Sequence, residues 1–191
     1  MPVFVAIHPH ALVNSLQVKA IIETISFRST ATDILAKHGI NKPESGMWYS
    51  QQYWLDAIKE ISERFLPPTI YSIGLTIAGY MTFPSYVKSF KMALASMNQA
   101  YTFSKFISAG NIRYSQSSKK YNAFNYYNFS MIDKKVTKII CQNPHPCDFD
   151  AGIISEIINR YPSKCGQVKV IHNDLAPCRK YGAESCEFII R

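Results

Sequence analysis

The chain has 191 residues, of which 47% are hydrophobic and 18% charged, and its formal net charge is +8. This length suits one domain with a substantial core, and the composition excludes a disordered or low-complexity protein. No apolar stretch approaches the roughly 18 residues that span a bilayer, and His8 and His10 stand where a signal peptide would need an uninterrupted apolar run. We therefore expect a soluble, cytoplasmic protein.

The N-terminal part, residues 1–48, is predicted to be a helical or extended elaboration of a domain that covers residues 49–191, with both parts forming one compact unit. Its first apolar residues fit either a helix or a short strand, namely Val13, Leu16, Ile21, Ile22 and Ile25. A clearer helix follows, which Ser29 or Thr30 can cap and which Gly39 would end.

Three helices are predicted after residue 49. The first begins at Ser50, ends at Pro67, and carries one apolar face, formed by Tyr53, Trp54, Ala57, Ile58, Ile61 and Phe65. The second, about residues 68–81, has Gly74 and Ala78 one turn apart, which lets another helix approach closely. The third follows Pro84, and its apolar positions at helical spacing are Val87, Phe90, Leu94, Met97 and Tyr101.

The C-terminal half reads mostly as strands. A hairpin is predicted from residues 111–116 and 121–129, followed by a β-branched strand at 136–142. A helix over 150–162 opens on Asp150 as its capping residue, and two more strands lie at 168–172 and 186–190. The fold class is therefore α+β: an N-terminal helical layer packed on a mostly antiparallel sheet, with a crossing helix and a C-terminal cysteine-bracketed hairpin.

Basic and aromatic residues alternate in residues 113–138, where six lysines and arginines face one acid, Asp133. Aromatic rings among cations can stack bases and hold phosphates, so a nucleic-acid-binding protein that uses this segment is one alternative. The other is a pair of strands whose rings face the core and whose lysines protect an exposed edge.

Four of the five cysteines lie near the ends of predicted elements: Cys141, Cys147, Cys178 and Cys186. Together with His145 or His172 they could bind zinc, because four soft ligands satisfy a tetrahedral ion, or form a redox pair. Buried free cysteines would explain the same spacing. If the thiols react, Cys147 is the expected reactive one, because the positive end of the helix after it lowers a thiol's pKa.

The C-terminal residues resemble 4-vinyl reductase type domains. These end in a hairpin of the form Cys-x-x-x-Gly-x-x-x-Cys-x-Phe, which here is Cys178, Gly182, Cys186 and Phe188. They are grouped with the haem nitric-oxide-binding sensors and certain transport-particle subunits in one ligand-binding superfamily. The resemblance implies a pocket for an apolar molecule between helices and sheet. Seven side chains could line it: Trp54, Tyr80, Phe83, Phe90, Met97, Tyr101 and Phe103. They could equally fill the core.

Haem is judged a doubtful cofactor by the same comparison. The related sensors hold it through a helix histidine and a Tyr-x-Ser-x-Arg motif. Here Tyr114 is followed by Ser115 and then by Lys119 at the wrong spacing, and residues 49–101 contain no histidine.

A non-catalytic sensory or carrier domain for a hydrophobic small molecule is the favoured interpretation. The chain lacks a Gly-rich phosphate loop, a Gly-x-Ser-x-Gly elbow and a His-Glu-x-x-His sequence, which are motifs of several large enzyme classes. Ligand binding would be passed to a signalling protein or to a second copy in a homodimer.

Overall fold

The computed structural model describes residues 2–98, 105–107, 126–133, 136–161 and 168–191. The N-terminal elements are β1 (Ala11–Asn14), α1 (Ser15–Thr24), α2 (Arg28–Lys37), β2 (Trp48–Ser50), α3 (Gln51–Arg64), α4 (Pro67–Tyr80), α5 (Phe90–Ala95) and β3 (Lys105–Ile107). The C-terminal elements are β4 (Tyr127–Met131), β5 (Thr137–Cys141), α6 (Cys147–Arg160), β6 (Val170–His172), a 3-10 helix (Arg179–Tyr181) and β7 (Cys186–Ile190).

The strands form two antiparallel sheets. One has the order β2-β1-β3 and belongs to the helical part, and the other has the order β4-β5-β7-β6. In the second sheet Cys141 lies opposite Cys186, and His172 lies opposite Phe188. The predicted α+β class, with a helical layer, an antiparallel sheet and a crossing helix, is confirmed.

Several helix ends follow the sequence signals, and others differ. Helix α2 begins at Arg28 after Phe27, so the predicted cap at Ser29 or Thr30 is wrong, because both residues lie inside the helix. Ser50 caps α3 by accepting a hydrogen bond from the Tyr53 backbone N–H at 3.5 Å, as predicted. The N-terminal apolar residues form both a strand and a helix, because Asn14 ends β1 and caps α1 through its side chain. Asp150 is not a cap: α6 begins three residues earlier, after Pro146, and the carboxylate of Asp150 is fully buried.

Helices α4 and α6 cross at two glycines. A methyl group added to Gly74 would clash with the Phe149 carbonyl, and one added to Gly152 would clash with the Tyr71 carbonyl. The close approach predicted at Gly74 is therefore present, and its partner is α6. This contact joins the helical layer to the helix that covers the sheet.

One continuous apolar core runs through both halves of the chain. It includes Val13 and Ile34 from before residue 48, Trp54 from α3, Ile153 from α6 and Phe188 from β7. The division at residue 48 stays a prediction, and most of the predicted hairpin 111–129 lies outside the described residues. In the part of the chain that the structure describes, every helix is too short or too polar to cross a bilayer.

Candidate functional site

Three cysteines and a histidine meet at one end of the four-stranded sheet. Cys147 is the first residue of α6, and His172 is the last residue of β6. Cys178 directly precedes the 3-10 helix, and Cys186 is the first residue of β7. The four potential ligand atoms all lie within 4.8 Å of one another. We call this group the Cys3His centre.

The sulfur atoms are close enough to share one metal ion. The Sγ atom of Cys147 is 3.3 Å from that of Cys178 and 3.0 Å from that of Cys186, and the remaining pair is 3.5 Å apart. Around a tetrahedral zinc ion with bonds of about 2.3 Å, the sulfur atoms would be about 3.8 Å apart. The three sulfur–sulfur distances would have to lengthen by about 0.3 to 0.8 Å to admit the ion. All three cysteines are free thiols in this structure.

His172 presents the correct ring nitrogen to the sulfur atoms. Its Nδ1 atom lies 2.7 Å from the Asp174 carboxylate, which orients the ring. Its Nε2 atom is buried and has no hydrogen-bond partner among the described residues. Burial lowers the pKa of His172, whereas Cys186 and Asp174 raise it, and the net direction is upward. The buried Nε2 therefore lies where it can serve as the fourth ligand of an ion shared with the three sulfur atoms.

The thiols differ in their tendency to ionise. The hydrogen bond from Cys147, together with those from Arg179, lowers the pKa of Cys186 well below its usual value. The same hydrogen bond to Cys186, together with burial, raises the pKa of Cys147. The prediction that the helix start would make Cys147 the low-pKa thiol stays a prediction, and the hydrogen bond between Cys147 and Cys186 acts against it.

Arg179 connects the centre to the start of α6. Its backbone N–H and its Nε–H each donate to the Cys186 sulfur at 3.3 Å. Its guanidinium forms an ion pair with Asp150, and both side chains are fully buried. The Asp150 carboxylate also accepts hydrogen bonds from Tyr127 at 2.8 Å and from Asn143 at 2.9 Å. Burial raises the pKa of Asp150, and Arg179 opposes that rise.

Two residues named as candidate ligands lie outside the centre. Cys141 is buried, and burial raises the pKa of its thiol, but its sulfur is not one of the four grouped atoms. His145 is also buried, with its ring centroid 5.6 Å from that of Trp54 and 4.6 Å from that of Phe149. Burial lowers the pKa of His145, which keeps the ring neutral. His172 is the fourth residue of the centre because β6 pairs with β7 and so lies beside Cys186. A prediction of this strand pairing would have identified His172 from the sequence.

A cleft of about 780 Å³ lies beside the Cys3His centre. Cys147 of the centre lines this cleft, and its side chain is only partly buried. The walls come from four parts of the chain: residues 2–4, the corner between α3 and α4, the start of α6, and residues 179–184. The cleft therefore opens onto a thiol.

No family model matches the chain, and no curated protein matches it. Among solved structures, an H-NOX protein from S. oneidensis in the Fe(II)NO state is 11% identical, with a TM-score of 0.64 over 93% of this chain and 98% of that one. An NMR structure of an H-NOX domain from Shewanella oneidensis in the Fe(II)CO state gives the same identity and TM-score. The chain has the H-NOX fold. An unliganded Fe(II) H-NOX variant from K. algicida is 10% identical, with a TM-score of 0.58 over 93% and 95% of the two chains.

The assessment of haem as a doubtful cofactor, with zinc as a possible one, is corrected by this comparison. The solved structures that share the H-NOX fold are haem proteins in Fe(II), Fe(II)NO and Fe(II)CO states. The sequence argument relied on short ligand motifs, whereas the fold is shared at an identity too low for such motifs to align securely. The likeness to H-NOX structures shows the fold, and it does not distinguish the 4-vinyl reductase type from other families with that fold.

The predicted pocket residues are spread over the core and the surface of the H-NOX fold. Trp54 is fully buried and donates from Nε1 to the Gln17 carbonyl at 3.1 Å, and Met97 is also buried. Tyr80, Phe83 and Phe90 are partly buried against the core. Tyr101 and Phe103 lie outside the described residues, as does most of the basic segment 113–138, so the nucleic-acid alternative stays untested.

Proposed function

We propose that this chain is a non-catalytic sensor domain that holds a small, largely apolar ligand within the H-NOX fold. The likeness to sensor domains over 93% of the chain supports this proposal. The sequence pattern of Cys178, Gly182, Cys186 and Phe188 favours the 4-vinyl reductase type among the relatives of that fold. Bound ligand would change the packing of the helical layer, and a partner protein or a second copy would respond to that change.

The proposed pocket lies toward α5. The crossing of α4 and α6 leaves no room for a ligand, because Gly74 and Gly152 already touch the facing backbones. Between the end of α4 and the start of α5 lie three partly buried aromatic side chains, Tyr80, Phe83 and Phe90. Their exposed surface could cover a ligand. A planar, apolar molecule matches aromatic walls of this kind.

Haem is the first ligand to test, because the H-NOX proteins of the same fold carry it. Neither α4 nor α5 contains a histidine, so an iron ligand on this side would be another residue type. Methionine is one of the side chains that hold haem iron in proteins, and the buried Met97 follows α5. A bound haem would supply an iron atom that takes up diatomic gases, while the chain provides the apolar walls and excludes water.

Titration of the purified 191-residue chain with haem tests this proposal. We expect a saturable Soret band at one haem per chain, which shifts on addition of CO to the reduced protein. Met97→Leu should alter the spectrum, and Met92→Leu, at an exposed position, should not. Haem that binds without saturation would contradict haem as the ligand. Mass spectrometry of lipophilic extracts that also finds no bound molecule would overturn the sensor proposal as a whole.

A second candidate function is a soft-metal centre at Cys147, His172, Cys178 and Cys186. The grouping of four ligand atoms within 4.8 Å supports it, as does the buried Nε2 of His172. Zinc is the ion whose common structural sites have three cysteines and one histidine. The ion would join the start of α6 to β6 and β7 and stabilise this end of the sheet.

Metal analysis of the purified protein tests this second candidate. We expect one zinc per chain, which Co(II) can replace with the intense visible absorption of a tetrahedral thiolate site. A chelator should remove the metal and free three additional thiols for titration. Substoichiometric metal after growth with added zinc, together with a Co(II) form that shows no tetrahedral bands, would exclude the centre.

A further inference from the structure

We propose that residues 2–7, which we call the N-terminal strap, form a movable wall that controls access to the Cys3His centre. Metal ions and thiol reagents would reach the sulfur atoms through the cleft that the strap borders. The part that concerns metal exchange rests on the proposed metal centre. The part that concerns thiol access rests on the three cysteines alone and is tested without metal.

The position of the strap leads to this inference. Its residues Pro2, Val3 and Phe4 line the cleft, and Cys147 lines the same cleft. Cys178 and Cys186 are buried behind it, whereas Cys147 is partly exposed. A reagent that approaches the centre from this side therefore meets Cys147 first, with the strap on one side of its path.

Few bonds hold the strap in place. The Phe4 N–H donates to the Pro144 carbonyl at 2.8 Å, and the Ile7 N–H donates to the Gln51 side chain at 3.1 Å. The remaining two bonds come from one residue: Gln52 accepts from the Ala6 N–H at 2.8 Å and donates to the Phe4 carbonyl at 3.0 Å. Among the residues that the structure describes, the strap is therefore attached through two glutamine side chains and one backbone bond, and it joins neither sheet.

The backbone of the strap is strained at Phe4. This residue has a φ of 64°, in the left-handed region that costs a residue with a side chain about 1 kcal/mol or more. The conformation persists because Gln52 bonds both Phe4 and Ala6, and because Phe4, Ala6 and Ile7 pack partly buried against the core. Loss of the Gln52 bonds would release the strain and favour the open position.

Opening of the strap needs no unfolding of the domain. The bonds that would break are few, and the core beneath is closed by α3, α4 and α6. Such segments open locally at a small fraction of the global unfolding free energy. A ligand or partner that lifts or pins residues 2–7 would therefore change the rate at which the centre exchanges metal, without a change in the ligand atoms themselves.

Thiol labelling of the metal-free 191-residue chain tests the inference, with Cys165, the fifth cysteine, replaced by serine in every variant. Two reagents are compared: iodoacetamide, which is small, and a maleimide that carries a polyethylene glycol chain, which is bulky. In the first reaction a sulfur–carbon bond forms while iodide and the thiol proton leave; in the second the thiol adds across the double bond. Mass spectrometry gives the rate at the centre and at the buried Cys141, which reports global unfolding.

In Gln52→Ala we expect the bulky reagent to label the centre about tenfold faster relative to the small reagent, since two hydrogen bonds of ordinary strength are lost. Gln142→Ala, the same change at an exposed position, should leave the ratio unchanged. Gln52→Glu keeps the acceptor for Ala6 but places a carboxylate oxygen against the Phe4 carbonyl and the Asp56 carboxylate, so its ratio should rise at least as much as in Gln52→Ala. This variant serves if the alanine variant does not fold.

An unchanged ratio in Gln52→Ala would overturn the inference, and so would a parallel rise in labelling of Cys141, because opening would then be global. For the zinc-loaded protein, transfer of zinc to a chromogenic chelator should accelerate about as much as the labelling. Absence of bound zinc would refute the metal centre while the labelling ratio still decides the role of the strap.

Discussion

Gly74 on α4 and Gly152 on α6 each lie against the backbone of the opposite helix, so that neither position has room for a methyl group. This pair holds the helical layer against the helix that starts at the Cys3His centre.

We expect Gly74→Ala and Gly152→Ala each to lower the free energy of unfolding by roughly 1–3 kcal/mol, because the added methyl group forces the helices apart. Gly79→Ala is the matched control. Gly79 lies on α4, as Gly74 does, and has open space around it, so alanine there should stabilise the fold by roughly 0.4–1 kcal/mol. Urea denaturation measures all three; equal effects at Gly74 and Gly79 would show that the helices do not touch there.

Asp150 and Arg179 form a buried ion pair that should be costly to break. Asp150→Asn leaves the guanidinium without its counter-charge, and we expect a loss of roughly 3–5 kcal/mol of stability. Asp148→Asn, on the same turn of α6 but exposed, should change stability by less than about 0.5 kcal/mol. Thermal denaturation of the two variants at neutral pH makes the comparison, and a mild effect at Asp150 would count against a buried pair.

The ligands of the Cys3His centre should determine the response to zinc. Zinc in thousandfold excess over its dissociation constant should stabilise the wild-type chain by about 4 kcal/mol. Cys178→Ser and His172→Gln should lose most of this stabilisation. Cys141→Ser should keep it, since Cys141 is buried but not grouped with the ligands. Unfolding is followed with zinc and with chelator; a Cys141→Ser chain that no longer responds would instead favour the four-cysteine set.

Glu60 should make the fold sensitive to acid. Hydrogen bonds from Lys37, then from His38 and Arg64, lower the pKa of Glu60 from 4.5 to about 2. Since the folded-state pKa is depressed, this contribution to stability is present above about pH 4.5 and is lost as the pH falls toward about 2. Glu60→Gln should lower the free energy of unfolding by roughly 1 kcal/mol at pH 7, and stability should then fall less steeply as the pH is lowered toward 2.

Stability measured between pH 7 and pH 2 tests this prediction, with Glu63→Gln as the control. Glu63 is exposed on the same helix and forms no ion pair within the described residues. Its replacement should leave the loss of stability at acid pH as it is in the wild-type chain. If the two variants behave alike, Glu60 does not link α2 to α3 in solution.

The local sequence signals predicted most elements but not the side-chain groupings. The cap at Ser50, the proline at the start of α4 and the β-branched runs of β5 and β7 act over a few residues, so they can be recognised along the chain. Asp150 has the features of a cap and becomes a buried ion partner. That difference depends on Arg179, which lies 29 positions later and which no local pattern connects to α6.

The sequence by itself determined the α+β class, the positions of most helices and strands, and the grouping of cysteines near element ends, because these depend on periodicity and capping within a few residues. Only the tertiary structure decided that His172 joins Cys147, Cys178 and Cys186, that Cys141 does not, and that the strap borders their cleft. The reason is that these relations depend on the pairing of β6 with β7 and on the close crossing of α4 and α6. Both bring together side chains that are distant along the chain.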